Sequence, residues 1–149
     1  MGPSNNIGYR LQHLSFVLQR HSDQALQEQL GIGFSQFKIL MVLQWHPQVQ
    51  QKQIAERLGQ TEASISRQIN LLKKQGLLER VPSPENRRQH LTRTTQKGEK
   101  LTDKALEILN NYHAPMFARL SDKQQNELQE ILKIMHDYAC SGDSFGDKH

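Results

Sequence analysis

The apolar residues of this chain recur mostly at helical spacing, and the first run of them spans residues 7 to 30. Leu11, Leu14 and Leu18 follow one another at intervals of three or four residues, and Gly31 ends the run. The sequence therefore predicts one long first helix.

A second helix is predicted over the apolar run that follows. Ser35 is placed to act as its N-cap, with Phe34 and Ile39 positioned to close a hydrophobic staple across the first turn. The helix should end near His46, because Pro47 cannot continue it.

Two shorter helices and a pair of strands are predicted next. The third helix covers residues 49 to 58 and ends at Gly59, and the fourth begins with Thr61 as its N-cap. The period then changes from helical to alternating. Residues 77–81 and 90–94 should therefore pair as two strands around a turn-rich loop.

The last third of the chain is again helical. Thr95 is placed to cap a long fifth helix, which Pro115 should kink or interrupt. A capping box formed by Ser121 and Gln124 predicts a sixth helix with a stripe of apolar residues. The small, polar tail over residues 141–149 is expected to be disordered.

These elements predict a mainly α-helical chain with a small β-wing, organised as one domain over residues 1–149. The segment from about residue 34 to residue 95 should form a winged helix-turn-helix. Helices over about 7–30 and 96–140 should form a dimerisation region. Only 36% of the residues are hydrophobic and 6% aromatic, so one copy has a modest core. Long amphipathic helices then need a partner to cover their apolar faces.

Positive charge is concentrated in one segment of the chain. Residues 67–100 hold nine basic and three acidic residues, a net charge of +6, whereas the whole chain carries +4. A solvated charged face would give the same count. A positive field confined to one segment is also what a surface that meets phosphates requires.

The segment IAERLGQTEASISRQINLLKKQGLLER, residues 54–80, carries the candidate site. A short helix, a glycine-containing turn and a second helix predict a helix-turn-helix whose second helix enters a DNA major groove. Ile65, Ile69 and Leu72 should face the core, and Leu71 lies on the shoulder of the outward face. The outward face and the N-terminus of this helix hold the candidate DNA-binding residues Thr61, Ala63, Ser64, Arg67, Asn70 and Lys74.

The loop between the two strands is a candidate wing. It contains Pro82, Pro84 and the adjacent cations Arg87 and Arg88. A wing tip of this kind can enter the neighbouring minor groove, where cationic side chains meet the most negative potential. A purely structural helical hairpin would explain the helix pair but not this loop.

In combination, the segments IAERLG, ISRQINLLKKQGLLER and PENRRQHLTRTT resemble the MarR family (multiple antibiotic resistance regulators), and the resemblance covers almost the whole chain. It implies a dimeric winged-helix repressor, or occasionally an activator, whose first, fifth and sixth helices form the dimerisation region. It also implies that Arg67 is the recognition-helix arginine and that Arg87 and Arg88 form the basic wing tip. The family pattern has an acidic residue where this chain has Asn86, so Arg88 should lack an ion pair within the wing.

A small aromatic or phenolic effector is a further candidate partner, because the family often binds such molecules between its dimer region and its DNA-binding lobe. Ordinary core packing is the simpler interpretation of the residues that could line such a pocket. These residues are Phe16, Phe37, Met41, Trp45, Tyr112 and Met116.

No other chemistry is indicated by the sequence. The histidines form no HxxxH or HExxH pair, and no nucleophile triad or phosphate-binding glycine loop is present, so we expect neither an enzyme nor a metal or cofactor. Cys140 could be a peroxide sensor, but a passive thiol is the simpler interpretation. No run approaches ~20 apolar residues, and the first residues lack the apolar region of a signal peptide. We therefore expect a soluble, cytoplasmic protein.

Two function classes remain at this point. The favoured one is a sequence-specific transcription regulator that binds double-stranded DNA as a homodimer. The alternative is a winged-helix protein-interaction module that does not read DNA. Arg67, Arg87 and Arg88 favour the first class, because the centre of a protein-binding surface is usually depleted of charge.

Overall fold

A computed structural model describes residues 5–47 and 49–141 of the chain, so most of the tail for which disorder is predicted, residues 142–149, lies outside the described residues. The helices are α1 (Ile7–Leu30), α2 (Phe34–Trp45), α3 (Gln51–Leu58), α4 (Glu62–Lys74), α5 (Gln96–Phe117) and α6 (Asp122–Ala139). The strands β1 (Leu78–Pro82) and β2 (His90–Thr94) form one antiparallel sheet between α4 and α5. The predicted fold class is confirmed.

The described chain divides into two compact units between Leu109 and Asn110. The core of the first unit is apolar and takes side chains from α1 to α4, from the start of β1 and from α5 as far as Leu109. Its largest fully buried apolar side chains are Leu26, Ile39, Leu40, Leu43, Ile54, Ile65, Ile69 and Leu72. The three members from α4 are the stripe that the sequence predicts, so the opposite face of α4 is left to solvent.

The start of α2 differs from the prediction, because Ser35 is not its N-cap. The cap residue is Gly33, whose N–H donates to the side-chain oxygen of Gln36 at 3.2 Å. The Asp23 carboxylate of α1 accepts the N–H of Phe34 at 2.8 Å. A negative charge at a helix N-terminus is favourable, and it satisfies an N–H group that the helix itself leaves free. Both contacts start α2 one residue before Ser35.

The predicted hydrophobic staple between Phe34 and Ile39 is wrong for the same reason. With the cap at Gly33, the positions that a staple joins are those of Ile32 and Phe37, and both side chains are buried in the core. Phe34 lies inside the helix instead.

The bounds of α3 and β1 also differ from the predictions by one or two residues, and Pro82, which was predicted in the wing loop, is the last residue of β1. Helix α3 begins at Gln51 rather than at residue 49, and the side chain of Gln53 accepts the N–H of Gln50 at 2.9 Å. Strand β1 begins at Leu78, because the N–H of Leu77 is already used by the last turn of α4, where it donates to the carbonyl of Leu72 at 2.9 Å.

The second unit begins inside α5 and ends with α6. Pro115 does not end α5, which runs on to Phe117. The predicted capping box is confirmed, since Ser121 accepts the N–H of Gln124 at 3.1 Å and the side chain of Gln124 accepts the N–H of Ser121 at 3.0 Å. No residue of α6 is buried, and its apolar residues form an exposed stripe.

The base of the wing packs directly against the first turn of α5. The N–H of Thr95 donates to the carbonyl of Leu77 at 3.0 Å, and the Thr95 hydroxyl donates to the carbonyl of Gly76 at 2.6 Å. Gly98 lies buried against Leu77, the residue before β1, and a Cβ atom added there would overlap the carbonyl oxygen of Leu77. A glycine is therefore required for the close approach of helix and strand.

We expect Gly98→Ala to lower the free energy of unfolding by about 1–3 kcal/mol, although alanine is the better helix former. The added methyl group would meet backbone atoms, so α5 and the wing must separate. Urea unfolding measures the loss, with the exposed Lys100→Ala in the same helix as the control. An unfolding midpoint equal to that of the wild type would contradict this packing.

Candidate nucleic-acid interface

Helix α4 is presented by a tight turn that follows α3. Gly59 adopts the left-handed conformation at φ +62°, which ends α3. Thr61 then caps α4, because its hydroxyl accepts the N–H of Ser64 at 3.1 Å. Glu62 lies in the first turn, where a negative charge is favourable. The predicted end of α3 at Gly59 and the predicted cap of α4 at Thr61 are therefore confirmed.

The outward face of α4 is exposed as the periodicity predicts. The exposed members of the candidate set on this helix and its cap are Thr61, Ala63, Arg67, Asn70 and Lys74. Within the residues that the structure describes, the side chains of Arg67 and Lys74 form no hydrogen bond or ion pair. Their charges are therefore available to a ligand.

Ser64 differs from the other candidates, because it is half-buried and its hydroxyl is used within the protein. It donates to the side chain of Gln60 at 3.3 Å and accepts from the amide of Gln68 at 3.1 Å. Gln68 also accepts from the hydroxyl of Ser35 on α2 at 2.9 Å, and Gln60 donates to that hydroxyl at 3.1 Å. This hydrogen-bond network ties α4 to α2 and to the turn. The sequence signal for it was the polar spacing of Gln60, Ser64 and Gln68, four residues apart.

The wing tip carries Arg87 and Arg88 in a loop shaped by Asn86. The Asn86 side chain accepts the N–H of Arg88 at 3.1 Å, and its carbonyl accepts the N–H of Gln89 at 2.9 Å. Asparagine thus stabilises the turn through the backbone, as Asx turns do. Both guanidinium groups are exposed and have no ion-pair partner among the described residues.

Another arginine of the wing is held by the protein itself. Arg93 lies directly opposite Glu79 in the sheet, and its Nε is 2.7 Å from Glu79 Oε1. Both side chains are about half exposed, so the pair contributes at most about 1 kcal/mol to stability. The ion pair also neutralises one positive charge on the side of the wing, so Arg93 is not available to a ligand as Arg87 and Arg88 are.

A polar groove of about 340 Å³ lies between α4 and the wing, and sequence reasoning missed it. Its cationic members are Lys73 and Arg80, with Ser66, Asn70 and His90 beside them. Partial burial lowers the pKa of the Lys73 ammonium, and the charge of Arg80 lowers this pKa further. Because Lys73 and Arg80 line the same groove, an anion bound there would relieve the repulsion between their charges.

The aromatic and methionine residues considered for an effector pocket differ in how far each is buried within its own unit. Phe37 is buried in the core and Met41 packs against it, so the core interpretation is confirmed for both. Phe16 and Trp45 are exposed. Tyr112 and Met116 belong to the second unit, where Tyr112 is exposed and Met116 half-buried.

A shallow depression between α1 and α2 does combine aromatic and cationic side chains. Phe16, Arg20 and Asp23 of α1 line it together with Phe34 and Lys38 of α2, and the Asp23 carboxylate there accepts the N–H of Phe34. The Lys38 ammonium lies 5.5 Å from the centre of the Phe34 ring, a cation–π distance.

Over residues 5–47 and 49–141, no group of three or more His, Cys, Asp and Glu side chains is arranged to hold a metal ion. Within the same residues, no helix combines the length and the apolar character that crossing a membrane requires. Cys140 is exposed, with its Sγ 3.5 Å from Nε2 of His136.

A helix-turn-helix followed by a two-stranded wing defines the chain as a winged helix-turn-helix protein. The model of the MarR family matches residues 30–89, which span α2, α3, α4 and most of the wing. This match agrees with the resemblance to the MarR family that the sequence motifs carry. The chain is similar to YdcH of Bacillus subtilis (strain 168), an uncharacterized HTH-type transcriptional regulator, with 28% identity over 89% of this chain and 93% of that protein.

Solved structures agree on the fold. CouR from Rhodococcus jostii RHA1, bound to p-coumaroyl-CoA, gives a TM-score of 0.77 at 23% identity and covers 91% of this chain and 94% of its own. Wild-type MarR from E. coli, in its apo form, gives a TM-score of 0.76 at 20% identity and covers 87% of this chain and 96% of its own.

Proposed function

We propose that this regulator represses transcription by binding a pseudo-palindromic DNA operator as a homodimer. The observation that carries the proposal is the exposed, unpaired positive charge on α4 and at the wing tip. Arg67 stands on α4 one turn after the small side chain of Ala63, where bases can approach the helix closely, and Lys74 lies two turns further along. Arg87 and Arg88 extend the same positive charge to the wing, where they would meet phosphates or a narrow minor groove.

The homodimer in this proposal is supported by apolar surface at both ends of the chain. Helix α1 exposes Leu11 at 39% and Leu14 at 45% of the residue's reference area. In the second unit, α6 exposes Ile131 at 51% and Ile134 at 69%. Stripes of this kind are costly in water and are usual where helices of two subunits pack together.

Selection of bound sequences from a random DNA pool tests the proposal. Two recognition helices related by a two-fold axis read half-sites one helical turn apart, so we expect an inverted repeat with half-site centres separated by roughly 10 base pairs. An enriched site with one asymmetric half, bound by a single chain, would contradict the symmetric dimer. A pool that shows no enrichment would favour the protein-interaction module instead.

A small aromatic effector that releases the operator completes the proposal. It is supported by the depression between α1 and α2, where two cations, Arg20 and Lys38, lie with aromatic rings and outnumber the one carboxylate, Asp23, so that the lining suits an aromatic anion. The structure of CouR with p-coumaroyl-CoA is a precedent for such a ligand in a protein of the same fold. In the DNA-binding assay an effector would be recognised by a loss of operator affinity.

A further inference from the structure

Leu71 is an exposed apolar side chain on the helix that is proposed to read DNA. It exposes 50% of its reference area, one turn after Arg67 and next to Asn70. Among the described residues between 49 and 109, it is the one large apolar side chain that is exposed. The remaining exposed ones lie on α1, at the end of α2, or from Tyr112 onward. Apart from Trp45, these residues lie on the proposed dimerisation helices α1, α5 and α6, so Leu71 needs a different explanation.

The core does not explain Leu71. Successive residues of a helix are turned by about 100°, so Leu71 points well away from the stripe of Ile65, Ile69 and Leu72 that fills the core. Its exposed neighbours are polar or cationic, namely Arg67, Asn70 and Lys74. A protein partner would seat a leucine among apolar side chains, whereas this surface surrounds it with positive charge.

A DNA major groove fits both the positive charge of this surface and its one apolar side chain. Its phosphates complement the cations, and the apolar group that it presents among the base edges is the C5-methyl of thymine. A side chain on the outward face of α4 enters the groove together with Arg67. Leucine has no hydrogen-bonding group, so this methyl group is the part of a base pair that it can recognise.

We propose that Leu71 determines operator specificity by contacting the C5-methyl group of a thymine in each half-site. This inference rests on the proposed function, because it requires α4 to lie in the major groove. Arg67 would recognise a base through hydrogen bonds, and Leu71 would add a preference for thymine about one helical turn along α4.

Replacing thymine by uracil tests this contact, since uracil forms the same base pair and lacks only the methyl group. The full-length protein is titrated on the selected operator with each thymine changed to uracil in turn. We expect one position per half-site at which uracil weakens wild-type binding by about 3- to 4-fold, the usual effect of one buried methyl group. Leu71→Ala should show no uracil penalty at that position, whereas Leu71→Met should keep most of it.

The outcomes separate this inference from the proposed function. Equal uracil penalties for the wild type and Leu71→Ala at every position would overturn the contact and leave operator binding intact. A selected operator without thymine in its half-sites would overturn it as well. If the wild type does not distinguish the operator from random DNA, the proposed function itself fails. Leu71→Ala should unfold at the wild-type temperature, because the side chain is not part of the core.

Discussion

Aspartate at both Ile131 and Ile134 is expected to convert the proposed dimer into a monomer. These residues lie three apart on α6 and expose 51% and 69% of their reference areas, so they share the apolar stripe. In a dimer each pair of carboxylates would be buried at the interface without a partner, which costs several kcal/mol per charge. No residue of α6 is buried in one copy of the chain, so the core of the first unit should be unaffected. Sedimentation velocity measures the change.

The same variant should lose operator affinity by about 100-fold or more. In a dimer the second half-site is bound by a recognition helix that is already held nearby, and a monomer loses this advantage. The matched control is Asn126→Asp with Gln129→Asp, which adds the same charge to α6 on the side opposite the stripe. The control should remain a dimer and bind normally. An aspartate variant of Ile131 and Ile134 that still sediments as a dimer would show that α6 does not form the interface.

Several boundaries could be predicted from the sequence because local residues determine them. Helix α1 and strand β2 have the predicted ends, and Gly59 and Thr61 define the turn before α4 through contacts within a few residues. The start of α2 depends instead on Asp23, which caps it from 11 residues earlier in the chain. A contact between two helices leaves no local pattern, so Ser35 is the better N-cap by sequence alone.

In the candidate site, too, the features set by local sequence could be predicted, whereas those set by tertiary contacts could not. The apolar period of α4 correctly assigns its exposed face, but it cannot show that the hydroxyl of Ser64 is bound by Gln60 and Gln68. The groove beside α4 was also missed, because strand pairing and packing bring Arg80 and His90 to Lys73. Side chains that meet through tertiary packing carry no common spacing in the sequence.

Arg67 and the wing arginines should differ in the kind of binding that they support. Arg67 stands on the outward face of α4 without a partner in the described structure, where a bidentate contact to guanine is worth roughly 1–3 kcal/mol of discrimination. Arg67→Ala should therefore weaken operator binding by about 5- to 150-fold relative to random DNA. Arg87 and Arg88 lie in the exposed wing loop, so their main effect is through charge. Replacing both with alanine should weaken binding to all sequences alike.

Binding isotherms of the full-length protein on operator and random duplexes, at several salt concentrations, test the central claim most directly. For the wing variant the slope of log affinity against log salt should flatten by about 0.9 for each phosphate that the protein no longer neutralises. For Arg67→Ala the ratio of operator to random affinity should fall, while Lys104→Ala, an exposed cation on α5, should change neither quantity. If Arg67→Ala reduced both affinities equally, Arg67 would bind a phosphate rather than a base. If neither the Arg67 variant nor the wing variant changed binding, α4 and the wing would not be a DNA-reading surface.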